Sequence, residues 1–199
     1  MAGATEDGQV GHGASLSAGI RLPASLSSPA MTAAKHVALY SGSFDPMTLG
    51  HLDVLGRARG VFDEIVVAVG RNPEKEPLFS SAERVEMAER LVAELVAATP
   101  DGAPVRVEGF HGLTVDFARQ IGANVLLRGL RHGSDLASEC QLAIANRQVA
   151  EMETVFVVAG EIHGYTSSSL IKQVAALGGD LERLATMVPP IVLEALRAK

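Results

Sequence analysis

Short apolar runs without polar alternation recur along the chain from residue 36 onward, and segments of helical periodicity separate them. Runs of this kind, rich in β-branched residues, are typical of strands in a parallel sheet that helices cover on both faces. The pattern predicts an α/β fold, a doubly wound domain in which parallel strands alternate with helices. The five predicted strands are His36–Tyr40, Glu64–Val69, Val105–Phe110, Asn124–Leu127 and Thr154–Val158.

The helices between these strands are predicted from apolar residues that recur every three to four positions. The clearest covers Ser81–Ala98, where six apolar residues share one face. Ser80, with Glu83 three residues later, predicts a capping box at its start. A helix opened by Gly50 follows the first strand, and further helices are predicted at Thr114–Gln120, Leu136–Ala150, Ser167–Leu177 and Ile191–Lys199.

Residues 1–31 differ from the rest of the chain because they are rich in Gly, Ala and Ser and hold no compact apolar segment. This composition offers little surface to bury, so it predicts a disordered N-terminal extension before one folded domain over residues 32–199. No apolar run approaches the roughly 18 residues that span a bilayer, and we expect a cytoplasmic protein with no membrane partner. The net charge of −6 argues against a nucleic-acid partner.

The segment Ser41–His51, directly after the first predicted strand, is the most informative part of the chain. A tight turn and a helix N-terminus there direct backbone N–H groups to one point, which suits a nucleotide phosphate. We interpret His51 as a phosphate contact because it follows Gly50 at the helix start; the alternative is a core histidine. Phe44 is expected to anchor the turn, and Asp45 to accept hydrogen bonds from local backbone N–H groups.

Three later segments place polar groups at the ends of other strands. The loop 71–77 carries Lys75, which is either a solvated surface charge or a mobile phosphate contact. Arg128 and Arg131 follow the fourth predicted strand, where guanidinium groups can clamp phosphate oxygens. The run Tyr165–Ser169 opens a helix, and its hydroxyls predict an N-cap together with a second anion cradle.

In combination, these segments resemble the nucleotidyltransferase superfamily and, within it, the bacterial phosphopantetheine adenylyltransferase family. The first segment matches the motif Gly-x-Phe-Asp-Pro-x-Thr-x-Gly-His, and the more specific matches are Arg128–Arg131, Glu139 and Ser167–Lys172. The resemblance runs from about Val37 to the C-terminus and implies a Rossmann-like domain. It also implies transfer of AMP from MgATP to 4′-phosphopantetheine, giving dephospho-coenzyme A and pyrophosphate, by a homohexamer.

The resemblance also implies roles for individual residues. His51 would stabilise the transition state as the catalytic residue, and it would bind ATP together with Ser43 and Phe44. The other implied ATP-binding residues are Gly129, Leu130, Arg131, Glu139, His163, Gly164, Tyr165, Thr166, Ser167, Ser168 and Ser169. The residues implied to bind 4′-phosphopantetheine are Ser43, Lys75, Thr114 and Arg128. The chain departs from many relatives at Leu136–Ser138, where they carry aromatic residues.

Two other functions stay open at this point: a related nucleotidyltransferase with another phosphorylated acceptor, and a non-catalytic nucleotide-binding regulator on the same fold. The acceptor phosphate, with a second pKa of about 6, is largely a dianion at neutral pH and needs no enzymic base. The hypothesis is therefore that positive charge and orientation drive the reaction. Mg²⁺ is expected to be held by phosphate oxygens and water, with no residue of the chain assigned as its ligand.

Overall fold

All five predicted strands form, and they pair into one parallel sheet. The structure is a computed structural model that describes residues 35–71 and 76–199, so the predicted extension over residues 1–31 and Lys75 lie outside the described residues. The strands are β1 Val37–Gly42, β2 Glu64–Val69, β3 Val105–Gly109, β4 Val125–Leu130 and β5 Glu153–Val158. The helices are α1 Leu49–Ala58, α2 Ser81–Ala98, α3 Thr114–Gln120, α4 Gly133–Ala150, α5 Ser168–Ala176 and α6 Pro190–Arg197.

The strand order β3-β2-β1-β4-β5 places β1 at the centre of the sheet. From β1 the chain proceeds outward to β2 and β3, then returns to the other side of β1 to form β4 and β5. The order therefore reverses between β1 and β4, where Tyr40 is in register with Leu127. In open α/β sheets such a reversal leaves a crevice at the carboxyl ends of the strands, where ligands bind.

The core consists of two layers, one on each face of the sheet. Alternate residues of β1 point to opposite faces, so that Tyr40 belongs to one apolar cluster and Leu39 to the other. The first cluster includes residues of α1, α2, α5 and α6, and the second includes residues of α3 and the last residue of α4. The predicted doubly wound α/β fold is confirmed, with Lys35–Lys199 as one compact unit.

Several element boundaries differ from the prediction in ways that affect the site. β4 continues through Arg128 to Leu130, because these residues pair with Phe156 to Val158 of β5. Helix α4 begins at Gly133, three residues before the predicted start. Two short 3-10 helices, Glu161–His163 and Leu181–Thr186, were not predicted. Among the described residues, no helix is long and apolar enough to cross a membrane.

Candidate active site

A cavity of about 280 Å³ opens at the carboxyl ends of β1 and β4, where the strand order reverses. It collects side chains from the β1–α1 turn, from the end of β4, from α4 and from the start of α5. Segments that are far apart in the sequence therefore meet at one point. The predicted site residues that line this cavity are Ser43, Phe44, His51, Arg128, Gly129, Arg131, Glu139, Thr166, Ser167, Ser168 and Ser169.

Five predicted site residues in the described part of the chain do not line the cavity: Thr114, Leu130, His163, Gly164 and Tyr165. Thr114 is the first residue of α3, and Tyr165 is 85% exposed. His163 ends a 3-10 helix, and its Cβ lies close to the position that a side chain at residue 50 would occupy. Their roles stay predictions, as does that of Lys75.

His51 is held by the first turn of α1 in a way that fixes its tautomer. It occupies the third position of a capping box whose N-cap is Thr48. The backbone N–H of Thr48 donates to Nδ1 of His51 at 3.0 Å, so Nδ1 is an acceptor and the ring proton lies on Nε2. Burial, followed by the positive charges of Arg131 and Arg128, lowers the pKa of His51 from 6.5 to about 4. At neutral pH the ring is therefore an uncharged donor.

Arg128 is held in place by a carboxylate and a carbonyl. Its Nε and Nη2 donate to the two oxygens of Glu139 at 2.8 and 2.7 Å, and its Nη1 donates to the Ser41 carbonyl at 3.0 Å. Burial alone would lower the pKa of Arg128, but the hydrogen bonds and charge of Glu139 raise it above its usual value. A guanidinium has five N–H donors, so two remain for a phosphate.

Arg131 repeats this arrangement with different partners. Its Nε and Nη2 donate to the Asp135 carboxylate at 3.0 and 3.1 Å, and its Nη1 donates to the Thr166 carbonyl at 2.9 Å. Asp135 was not predicted as a site residue, although it lines the cavity. The signal was present in the sequence: an acid four residues after Arg131, in the first turn of a helix.

The hydroxyl-rich run before α5 also meets the β1–α1 turn. Ser167 is the N-cap of α5 and accepts the Leu170 N–H, which confirms the predicted capping role for one of these hydroxyls. The Ser168 hydroxyl donates to the Pro46 carbonyl at 2.9 Å. These serines, at the N-terminus of α5, line the same cavity as His51. The backbone dipoles at the start of this helix therefore favour an anion in the cavity.

The prediction for Asp45 was wrong, because its partners are distant in sequence. Its carboxylate accepts the backbone N–H groups of Leu78 and Phe79, both at 3.0 Å, and the Lys172 ammonium at 2.8 Å. Asp45 is 3% exposed, and this ion pair joins the β1–α1 turn to α5 and to the segment before α2. The carboxylate thus fixes one side of the cavity rather than completing a local turn.

Comparisons with known proteins agree with this geometry. The family model described as cytidylyltransferase-like matches residues 39–174. Phosphopantetheine adenylyltransferase of Rhodopirellula baltica is 46% identical over 164 residues, which cover 82% of this chain and 88% of that protein. The enzyme of the same name from Agrobacterium fabrum is 48% identical, with 82% of this chain and 97% of that protein covered.

A solved structure adds evidence on the fold alone. The bifunctional NMN adenylyltransferase/ADP ribose pyrophosphatase of Francisella tularensis superposes with a TM-score of 0.53 at 17% identity. The superposition covers 72% of this chain and 43% of that one. The likeness supports the α/β architecture that the strand order already shows.

Proposed function

Because the chain belongs to the phosphopantetheine adenylyltransferase family, we propose that it transfers AMP from ATP to 4′-phosphopantetheine. The products are dephospho-coenzyme A and pyrophosphate, and the reaction belongs to coenzyme A biosynthesis. The observation that carries this proposal is the convergence of the neutral His51 ring with Arg128 and Arg131 on one cavity. Each guanidinium retains donors that its protein partners do not use.

In the proposed reaction, an oxygen of the acceptor phosphate attacks the α-phosphorus of ATP in line. The new O–P bond forms as the bond from the α-phosphorus to the bridging oxygen breaks, and pyrophosphate leaves with the electron pair. The Nε2–H of His51 donates to the α-phosphate oxygen on which charge grows, and the low pKa of His51 keeps this donor neutral. No proton has to be removed from the acceptor, since its phosphate is already ionised.

We assign the two substrates to the two arginines. Arg128 would hold the phosphate of 4′-phosphopantetheine, together with Ser43, Lys75 and Thr114. The nucleotide would lie along Gly129–Arg131, Glu139 and residues 163–169, next to Phe44 and His51. This assignment is supported by the position of Arg131 beside Thr166, at the start of the hydroxyl-rich run.

We propose that Mg²⁺ enters as part of MgATP and is held by phosphate oxygens and water. The two carboxylates that line the cavity, Asp135 and Glu139, are each bidentate to a guanidinium, so phosphate oxygens are the better ligands. Bound there, the ion would neutralise charge on the triphosphate. The arginines and His51 would orient the phosphates.

We also propose that the protein is a cytoplasmic homohexamer. Helix α4 and the neighbouring strand β5 support self-association, because both present apolar side chains to the surface of the single chain. These side chains are Leu136 (45% exposed), Leu142 (44%), Ile144 (55%), Val149 (69%), Val155 (36%) and Val158 (64%). Their packing against another copy would remove this surface from water.

Pyrophosphate release tests the proposed reaction against its alternatives. We expect fast release when ATP and 4′-phosphopantetheine are both present. Release should be much slower when CTP replaces ATP as the donor, or when nicotinate mononucleotide replaces 4′-phosphopantetheine as the acceptor. Turnover with a different acceptor would indicate a related nucleotidyltransferase. Nucleotide binding measured by calorimetry, without turnover on any acceptor, would indicate a regulator.

A further inference from the structure

Phe44 adopts a backbone conformation that bulky residues rarely take. Its φ of 43° lies in the left-handed region, although it is not glycine, and its side chain is buried. Such a conformation persists only where the surroundings hold it, and it concentrates at functional sites. Phe44 lies between Ser43 and Asp45 in the turn that faces the proposed nucleotide site.

The Phe44 ring is held by aromatic neighbours on two sides. Its centroid lies 5.4 Å from that of Tyr40 and 5.1 Å from that of His51, both in edge-to-face geometry. The ring also packs tightly over Gly42, because a Cβ at residue 42 would lie 3.0 Å from it. The ring therefore links the conformation of the turn to the position of His51.

The backbone on both sides of Phe44 is tied to the start of α2. On one side, Nη1 of Arg84 donates to the Ser43 carbonyl at 2.6 Å. On the other side, Asp45 accepts the Phe79 N–H, and Arg84 Nε donates to the Phe79 carbonyl at 3.2 Å. The Arg84 guanidinium thus contacts the Ser43–Phe44 peptide directly, and it also contacts Phe79, whose N–H group binds Asp45.

The surroundings of Arg84 are unusual for a charged side chain. Arg84 is 3% exposed, and its third carbonyl partner is Gly70, the residue directly after β2, at 2.6 Å. Within residues 35–71 and 76–199, no carboxylate lies within ion-pair distance of it. Burying a guanidinium among carbonyls alone is a costly way to fill a core position. What sets Arg84 apart from another buried arginine is its bond to the Ser43 carbonyl, which belongs to the peptide before Phe44.

We propose that Arg84 is a positioning residue, which holds the Ser43–Phe44 peptide in its left-handed turn and thereby places His51 against the reacting phosphate. The inference rests on the proposed function for its catalytic consequence, but its structural part does not depend on any substrate. Arg84 lies outside the cavity lining and would touch neither ATP nor the acceptor.

Arg59 is a matched control within the same chain. It is also 3% exposed, and it also donates to backbone carbonyls, those of Ala103 at 2.7 Å and Gly102 at 3.2 Å. It follows the last residue of α1 and does not line the cavity. Replacing either arginine by lysine keeps the charge and removes the forked geometry.

The experiment compares Arg84→Lys with Arg59→Lys in the full chain. We expect both variants to lose thermal stability, but kcat to fall about 10- to 100-fold only in Arg84→Lys, as for a small misplacement of reacting groups. The KM for ATP should change by less than about threefold, because the interactions that bind the substrate in its ground state remain. Hydrogen–deuterium exchange should rise over residues 41–48 in Arg84→Lys and over residues 99–104 in Arg59→Lys.

The two readouts separate this proposal from the proposed function. If the wild-type protein gives no adenylyl transfer, the proposed function fails, and exchange over residues 41–48 still decides the role of Arg84. Equal kcat in the two variants, or unchanged exchange over residues 41–48, would overturn the inference. Arg84→Gln is the second variant if Arg84→Lys does not fold. If both fail to fold while Arg59→Lys folds, Arg84 belongs to the core of the fold and the proposal is wrong.

Discussion

The β1–α1 turn and the arginine pair at the end of β4, Arg128 and Arg131, line one cavity, yet they are built differently. In the turn, Phe44 and Asp45 are each 3% exposed, and backbone N–H groups and aromatic rings hold them. The side chains of Arg128 and Arg131 are 26% and 35% exposed, and carboxylates of a single helix, α4, hold them. The turn is therefore a buried part of the core, whereas the arginines lie at its margin.

This difference suggests a division of work between the two regions. A pre-oriented donor such as His51, which is half-buried and held by the capping box of α1, costs no reorganisation when charge develops, so it acts best on the transition state. A half-exposed guanidinium with free N–H groups can accept a phosphate from solution, so it acts best in binding. Loss of the turn should therefore lower kcat, and loss of an arginine should raise a KM.

The largest effect should come from His51→Ala. Removing one pre-oriented donor should lower kcat by on the order of 10²- to 10³-fold, while ATP affinity measured by calorimetry changes little. His51→Gln is the matched variant, because glutamine also serves at the third position of a capping box and keeps an amide donor. It should retain more activity than His51→Ala. If ATP affinity falls in step with kcat, the division of work between the regions is wrong.

Arg128→Ala should raise the KM for 4′-phosphopantetheine more than the KM for ATP. A charged hydrogen bond to phosphate contributes about 1.5 to 3 kcal/mol, which corresponds to roughly 10- to 150-fold in the KM for the acceptor. Steady-state kinetics with each substrate varied in turn measure this. Arg106→Ala is the control, since Arg106 lies on β3 and pairs with Glu64 away from the cavity.

The lone carboxylate that Arg128→Ala leaves behind needs its own control. Glu139 would then face the acceptor phosphate without its partner, and repulsion would add to the loss of binding. The double variant Arg128→Ala, Glu139→Gln removes this charge. An equal effect on both substrates in the double variant would contradict the assignment of Arg128 to the acceptor.

The sequence predicted those parts of the fold that local chemistry determines. β2, α2 and α3 have their predicted bounds, and the Ser80–Glu83 capping box forms as expected. Caps and apolar periodicity are encoded within a few residues, so they can be recognised without the fold. The cavity residues could be predicted because they follow the ends of strands that a parallel sheet brings together.

The unpredicted features depend on contacts between distant segments. Two of the three carbonyl partners of Arg84 lie 14 and 41 residues away, and the partners of Asp45 lie 33, 34 and 127 residues away. The spacing of apolar and polar residues along the sequence does not indicate which distant residues form such pairs. β4 is longer than predicted because β5 pairs with its Arg-Gly-Leu end, which by itself is typical of a turn. The sequence therefore predicts where the cavity lies better than it predicts what holds the cavity in shape.

A smaller effect is expected from Asp135→Asn. Asparagine keeps the shape of the side chain but removes the charge that holds Arg131, so the KM for ATP should rise by about two- to fivefold, as for a partly exposed ion pair. kcat should change less. Asp180→Asn is a matched control, because Asp180 pairs with Arg183 on the surface. A larger effect on the acceptor KM would show that Arg131 serves the other substrate.

The smallest effect on turnover should come from a change of pH. The pH dependence of kcat shows whether His51 acts as a hydrogen-bond donor or as a general base. Because burial holds the pKa of His51 at about 4, its ring stays neutral throughout the working range, and kcat should be flat from about pH 6.5 to 9. A general base with an ordinary histidine pKa would instead give a limb near pH 6.5. The acceptor phosphate, with a pKa of about 6, should itself produce a decline at lower pH, and this decline should persist in His51→Gln, whereas a limb from a histidine base would disappear there.

The low pKa of His51 also makes the stability of the fold depend on pH. The direction is opposite to that expected for a histidine whose pKa is raised by an ion-pair partner. The folded pKa of about 4 lies below the ordinary 6.5, so the unfolded chain binds more protons between these values. The stabilisation is complete above about pH 6.5 and decreases as pH falls toward 4. Thermal unfolding at pH 7 and pH 4.5 should therefore show a smaller loss of Tm in His51→Gln than in the wild type. An equal loss in both proteins would mean that His51 titrates normally, and the neutral donor assigned to the turn would have to be abandoned.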